Sequence, residues 1–248
     1  MKLDAPVKHL LVDLDGTLLG NHNIRLSIDF SRQALSAMKK YGGWRKAAQT
    51  LLAINQEFRK PSIGELLTND HRVVALFANR IGIAPEIARE VLRENVSSIF
   101  PSLKRHFYPI PGAKDFLDWA KGRYPLILAT NPVWTESIIK LRVEWAGIDP
   151  SIFEFMTDVR SMRACKPSVD YYLEILKLRN LRAQDCLLVG NELKMDLPAT
   201  LVGIRVFIVG PFKKLQSVTL PGSKALGWKG SYAHLRALLE GGSGMENG

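Results

Sequence analysis

Four short apolar runs mark the chain, each closed by a polar residue or a glycine: HLLVDLDG from His9, PLILATN from Pro125, DCLLVGN from Asp185 and RVFIVGP from Arg205. Runs of four or five apolar residues without alternation suit strands covered on both faces, as in a parallel sheet. A weaker run, IFEFMTDV from Ile152, predicts a fifth strand. Helical patterns lie between the runs. PGAKDFLDWAKG has a helix-like start and a glycine stop. NPVWTESIIKLRVEWAG offers Asn131 as N-cap, Pro132 as first helical residue and Gly147 as the end. KPSVDYYLEILKLRN repeats the plan with Pro167 near its start, and SYAHLRALLE predicts the last helix. Strand and helix in turn predict an α/β chain with a doubly wound, Rossmann-like parallel sheet.

Residues 20–107 break this rhythm. They contain no strand run and read as consecutive amphipathic helices, with Trp44, Ala48, Leu51, Leu52 and Phe58 on one face, then Val73, Val74, Phe77 and Ile81, then Ile87, Val91, Leu92 and Ile99. Trp44, Phe58 and Phe77 are expected to form that segment's own core, and Gly82, Pro85 and Pro101 to punctuate it. The expected organisation is a core of residues 1–19 and 108–240, an all-helical cap of residues 20–107 inserted after the first strand, and a flexible tail, GGSGMENG, at 241–248.

Composition narrows the class. Apolar residues make up 46% and charged residues 23% of 248 residues, the balance of a folded chain. No uncharged stretch is long enough to span a membrane, and the N-terminus meets acidic residues before any long apolar run, unlike a secretory signal. Two cysteines, Cys165 and Cys186, are too few for a disulfide framework and lack metal-binding spacing, so a cytoplasmic setting and inert thiols are expected. The net charge is +10. Residues 20–107 hold 14 Lys and Arg against 7 Asp and Glu, the remainder 20 against 17, so most of the excess sits on the cap. No nucleic-acid motif accompanies it. A basic cap that attracts anionic substrates explains the charge better than specific nucleic-acid or membrane binding.

Ligands of a parallel α/β sheet gather beyond the carboxyl ends of its strands. There stand Asp13 and Asp15, two residues apart and able to face one site, then Thr130 and Asn131, Lys166, and Gly190, Asn191, Glu192 and Asp196. In this order DLDGTL, ATN, CKP and VGNELKMD resemble the four motifs of the haloacid dehalogenase-like hydrolase superfamily. The helical insertion resembles its branch of small-molecule phosphatases.

The resemblance implies a phosphatase for a small phosphorylated metabolite. Asp13 would attack phosphorus to form an aspartyl-phosphate. Asp15 would act as general acid and then general base, with its pKa raised for the task. Thr130, Asn131 and Lys166 would bind the phosphoryl group, with Lys166 also positioning Asp13. Mg2+ would be held by Asp13, the Asp15 carbonyl, Asn191 and Asp196. Dehalogenase and phosphonate-cleaving relatives lack an acid at the position of Asp15, so its presence favours phosphate esters. The family usually has Gly-Asp where this chain has Gly190-Asn191, which predicts a weaker metal site, with Glu192 available to compensate. Two alternatives stay open: a phosphomutase of the same fold, and a non-catalytic protein binding a phosphorylated ligand or partner. Arg45, Lys46, Arg59 and Lys60 are candidates to meet a second anionic group.

Overall fold

A computed structural model describes residues 5–60, 67–219 and 226–241. The segment expected to form a tail lies outside these residues except for Gly241. Along the chain, β1 (His9–Val12) leads to β2 (Leu19–Asn21), which pairs antiparallel with β3 (Phe107–Pro109). Between those two short strands lie α1 (Asn23–Met38), α2 (Gly43–Glu57), α3 (Asn69–Ile81) and α4 (Pro85–Leu103). After β3 come α5 (Ala113–Ala120), β4 (Leu126–Leu128), α6 (Glu136–Trp145), β5 (Phe153–Met156), α7 (Val169–Arg179), β6 (Cys186–Gly190), α8 (Leu193–Asp196) and β7 (Arg205–Val209). A hairpin of β8 (Gln216–Thr219) and β9 (Leu226–Gly230) and a final α9 (Tyr232–Leu239) complete the described chain.

Seven strands form one sheet in the order β5-β4-β1-β6-β7-β9-β8, parallel except for the terminal hairpin. Each expected strand run is present, and side-chain alternation divides it between two cores. Leu10, Val12, Leu126, Leu128, Leu187, Val189, Phe207 and Val209 face one layer, with Phe116 and Leu117 of α5, Ile139 and Val143 of α6, and Leu235 and Leu238 of α9. Leu11, Ile127, Leu188, Val206 and Ile208 face the other, against Tyr171, Tyr172, Ile175 and Leu176 of α7. Helices on both faces make the sheet doubly wound. Each fully buried aliphatic side chain stabilises by about 1.5–3 kcal/mol.

Over the described residues the insertion is helical between its flanking ribbon strands, and α3 buries Val73, Val74 and Phe77 as expected, whereas α2 turns a different face inward. Phe77 is fully buried among Met38, Ala47, Val74, Ala78 and Ala88. Trp44 is 55% exposed, with the Lys39 ammonium 5.2 Å from its ring centre. Leu52 and Ile87 are also exposed. On α2 the buried residues are Ala47, Thr50 and Ala53, because small side chains let the helices approach closely. Pro101 does not punctuate the segment but lies inside α4.

Helix α6 also begins later than expected. Its N-cap is Thr135, not Asn131, and Pro132 lies in the loop before it. The Asn131 side chain is engaged elsewhere, accepting at Oδ1 from the Lys166 amide at 3.2 Å. Ser168 caps α7 by accepting from the Asp170 amide, and Ser231 with His234 forms a capping box on α9. Among the described residues no helix is long and apolar enough to cross a membrane.

Candidate active site

The parallel register places the ends of β1, β4 and β6 side by side. Asp13 extends β1 by one bond, donating its amide to the Val189 carbonyl at 2.9 Å. The chain then turns tightly, with the Leu18 and Leu19 amides donating to the Leu14 carbonyl. Gly16 sits in this turn at φ +73°, and a Cβ there would lie 2.2 Å from Asn191 Nδ2. Glycine thus serves twice, for the left-handed backbone and for the close approach of the loop after β6.

Lys166 organises the centre. Its ammonium donates to Asp13 Oδ1 at 3.0 Å and to Asp196 Oδ1 at 2.8 Å, and all three side chains are buried. Asp196 accepts at its other oxygen from the Asn191 and Glu192 amides, both at 3.1 Å. A Cβ on Gly190 would meet that oxygen at 2.2 Å, which explains the glycine. The Thr17 hydroxyl lies 3.4 Å from Asp13 Oδ2 and 3.2 Å from Asn191 Oδ1, able to give its proton to either. Thr130 is buried, its carbonyl accepting from the Thr157 hydroxyl at 2.6 Å and the Tyr171 hydroxyl at 2.8 Å.

Burial pushes the Asp13 carboxyl up to about 7, helped by the Asp196 and Asp15 charges and opposed by Lys166. Burial opposes the Lys166 charge too, but Asp13 and Asp196 outweigh it and hold the ammonium well above its ordinary value. Two residues on from the buried Asp13 carboxyl stands Asp15. Its side chain is 45% exposed and ion-paired with Arg142 of α6. Sequence reasoning passed over this arginine. The signal that marks it is its position on the apolar stripe Ile138, Ile139, Arg142, Val143.

Asp13, Asp15 and Asn191 offer the hard oxygen atoms that Mg2+ takes. Lys166 supplies one positive charge between two buried carboxylates, Asp13 and Asp196, so a further cation suits the cluster. Both Asp196 oxygens already have partners. Among the described residues no three His, Cys, Asp or Glu side chains form a metal cluster. The oxygen donors of Asp13, Asp15 and Asn191 fit a cation that keeps several of its waters.

The cap bears directly on these loops. The Asn69 side-chain amide donates to the Pro132 carbonyl and reaches Cys165 Sγ. The Asn69 and Asp70 amides donate to the Met162 and Val159 carbonyls. Arg72 donates to the Arg163 carbonyl while paired with Glu57. Phe30 and Phe100 pack edge-on against Trp134. A cleft of about 640 Å³ lined by Arg93, Lys140 and Arg160 contains none of the clustered residues. Lys60 pairs with Glu57, and Arg45 and Arg59 are exposed. Cys165 and Cys186 are buried and unbridged, their thiols pushed by burial up to about 12 and about 11.

Residues 7–200 match the family model described as haloacid dehalogenase-like hydrolase. The chain belongs to this family. Haloacid dehalogenase-like folds with which it aligns include a 2-haloacid dehalogenase from Pseudomonas syringae pv. Tomato DC3000 (18% identity, 94% of this chain and 98% of that one, TM-score 0.60). An HAD phosphatase from Thermococcus onnurineus aligns at 18% identity over 95% and 99%, TM-score 0.56. The HAD-hydrolase YfnB from Bacillus subtilis, a structure bound to magnesium, aligns at 17% over 95% and 99%, TM-score 0.53. At such identities the likeness is one of fold. No curated protein sequence matches the chain. As a haloacid dehalogenase-like hydrolase it carries all four expected motif loops at one end of its sheet.

Proposed function

We propose that this hydrolase is a Mg2+-dependent phosphatase for small phosphorylated metabolites, working through an aspartyl-phosphate on Asp13. The observation that carries this reading is the pair of unlike carboxyls two residues apart. Asp13 is buried against Lys166, while Asp15 stands half-exposed beside it. A nucleophile needs a fixed, partnered position. An acid for the leaving group needs access to it.

In this scheme an Asp13 oxygen attacks phosphorus while the ester oxygen leaves with a proton from Asp15. Asp15 then takes a proton from the water that displaces Asp13 from phosphorus. Lys166, Thr130 and Asn131 hold the phosphoryl oxygens, and Lys166 keeps Asp13 aimed. Mg2+, when bound, offsets the charge of phosphate against carboxylates. Asp13, the Asp15 carbonyl and Asn191 would hold it, with Asp196 supporting from behind through the 190–192 loop. An amide in place of a carboxylate makes this a weak magnesium site. The two buried, unbridged thiols agree with a cytoplasmic setting.

The test is a phosphate-release screen over sugar phosphates, nucleotides and small phospho-acids at millimolar Mg2+, with Asp13→Asn as the blank. Release by the native chain, lost in the variant, is expected. Halide release from 2-haloacids without phosphate release would overturn the reading.

A further inference from the structure

Arg142 is out of place by the rules of helix packing. It shares the buried stripe of α6 with Ile138, Ile139 and Val143, and its side chain is 4% exposed. A buried guanidinium is costly unless paired, and this one has an Nε that is buried with no partner. An aliphatic residue would serve the packing of α6 better. What arginine adds is a charge on Asp15, to which its Nη2 donates. The guanidinium carbon lies 5.5 Å from the centre of the Phe107 ring, a cation-π platform.

Asp15 needs such a partner. Asp13, Lys166 and Asp196 hold one another, and Asn191 shares Thr17 with Asp13. Arg142 is the only side chain among the described residues that holds the Asp15 carboxylate. Resting on the phosphatase reading above, we propose that Arg142 is a positioning residue that fixes the orientation of Asp15 for proton transfer, with Phe107 steadying the guanidinium. In the step it serves, the Asp15 carboxyl gives its proton to the ester oxygen as the phosphorus–oxygen bond breaks, leaving a carboxylate and an alcohol. Proton transfer requires hydrogen-bond reach, so the orientation of that carboxyl matters as much as its presence. Phe107 opens β3, the strand returning from the cap, so the platform belongs to the joint between cap and core.

The experiment is a double-mutant cycle of Arg142→Met and Asp15→Asn, assayed with an alkyl and an aryl phosphate at saturating Mg2+. An aryl leaving group departs without a proton, whereas an alkoxide needs one. Arg142→Met should lower kcat on the alkyl ester by about 10²-fold, with little change in KM and a far smaller loss on the aryl ester. It should add nothing to the loss already caused by Asp15→Asn. Phe107→Leu should show the same split more weakly, and it carries the test if Arg142→Met fails to fold by circular dichroism. Equal losses on both esters, additive losses or no loss would overturn the proposal. If the native chain hydrolyses neither ester, the phosphatase reading falls separately, and thermal unfolding decides. Tm losses that fail to add then keep Arg142 and Asp15 as one unit, and additive losses overturn it.

Discussion

At the scale of single residues, one ammonium between two buried carboxylates governs both stability and pH response. Lys166→Ala leaves Asp13 and Asp196 facing each other without their counter-charge, and urea unfolding should show a loss of about 3–5 kcal/mol. Burial pushes the Asp13 carboxyl up to about 7 in the folded chain, above the ordinary 3.8 that it has when unfolded. Between those values the folded chain binds the extra proton, so this group's contribution to stability falls as pH rises through the window. A divalent cation beside Asp13 favours the carboxylate and reverses that loss. Mg2+ should therefore raise Tm more at about pH 8 than at about pH 5, and a chelator should remove the difference. Asp13, Thr130 and Asn191 were legible because each closely follows an apolar run of the parallel sheet, whereas Lys166 and Asp196 stood out through the resemblance of CKP and VGNELKMD to family motifs. Arg142 escaped because a cation on a helix normally faces solvent.

At the scale of elements, β1, β4, β6 and β7 were legible because burial on both faces leaves an uninterrupted apolar run, and the edge strand β5, with Glu154 exposed, left a weaker one. The three-residue ribbon strands β2 and β3 and the polar edge strand β8 carry no such run. The start of α6 was misplaced because Asn-Pro is a sound capping signal. A tertiary bond to Lys166 competes for Asn131 and wins. The phase of α2 was misread because hydrophobicity favoured Trp44 and Leu52 inward, whereas close helix packing selected Ala47 and Ala53. Two substitutions check the revised faces by urea unfolding. Phe77→Ala should cost about 3–5 kcal/mol, and Ile87→Ala, at an exposed position, should stay within about 0.5 kcal/mol.

At the scale of the whole molecule, a cap with a surplus of cations is docked on a core whose candidate active site gathers carboxylates. Asn69, Arg72 and the Phe30–Phe100–Trp134 contact make that docking specific. On the proposed reading such a surface attracts anionic substrates at long range, an effect screened within about 10 Å at 0.1 M salt. Neutralising Arg45 and Arg59 together should lower kcat/KM at low ionic strength and change it little at high ionic strength. In the proposed mechanism the phosphoryl group is carried on Asp13. Acid-quenching the enzyme during turnover of a phosphate ester and mapping the phosphoryl group by peptide mass spectrometry tests it most directly. The predicted result is label on the peptide containing Asp13, with neither label nor turnover in Asp13→Asn. Undiminished phosphate release by that variant would contradict it.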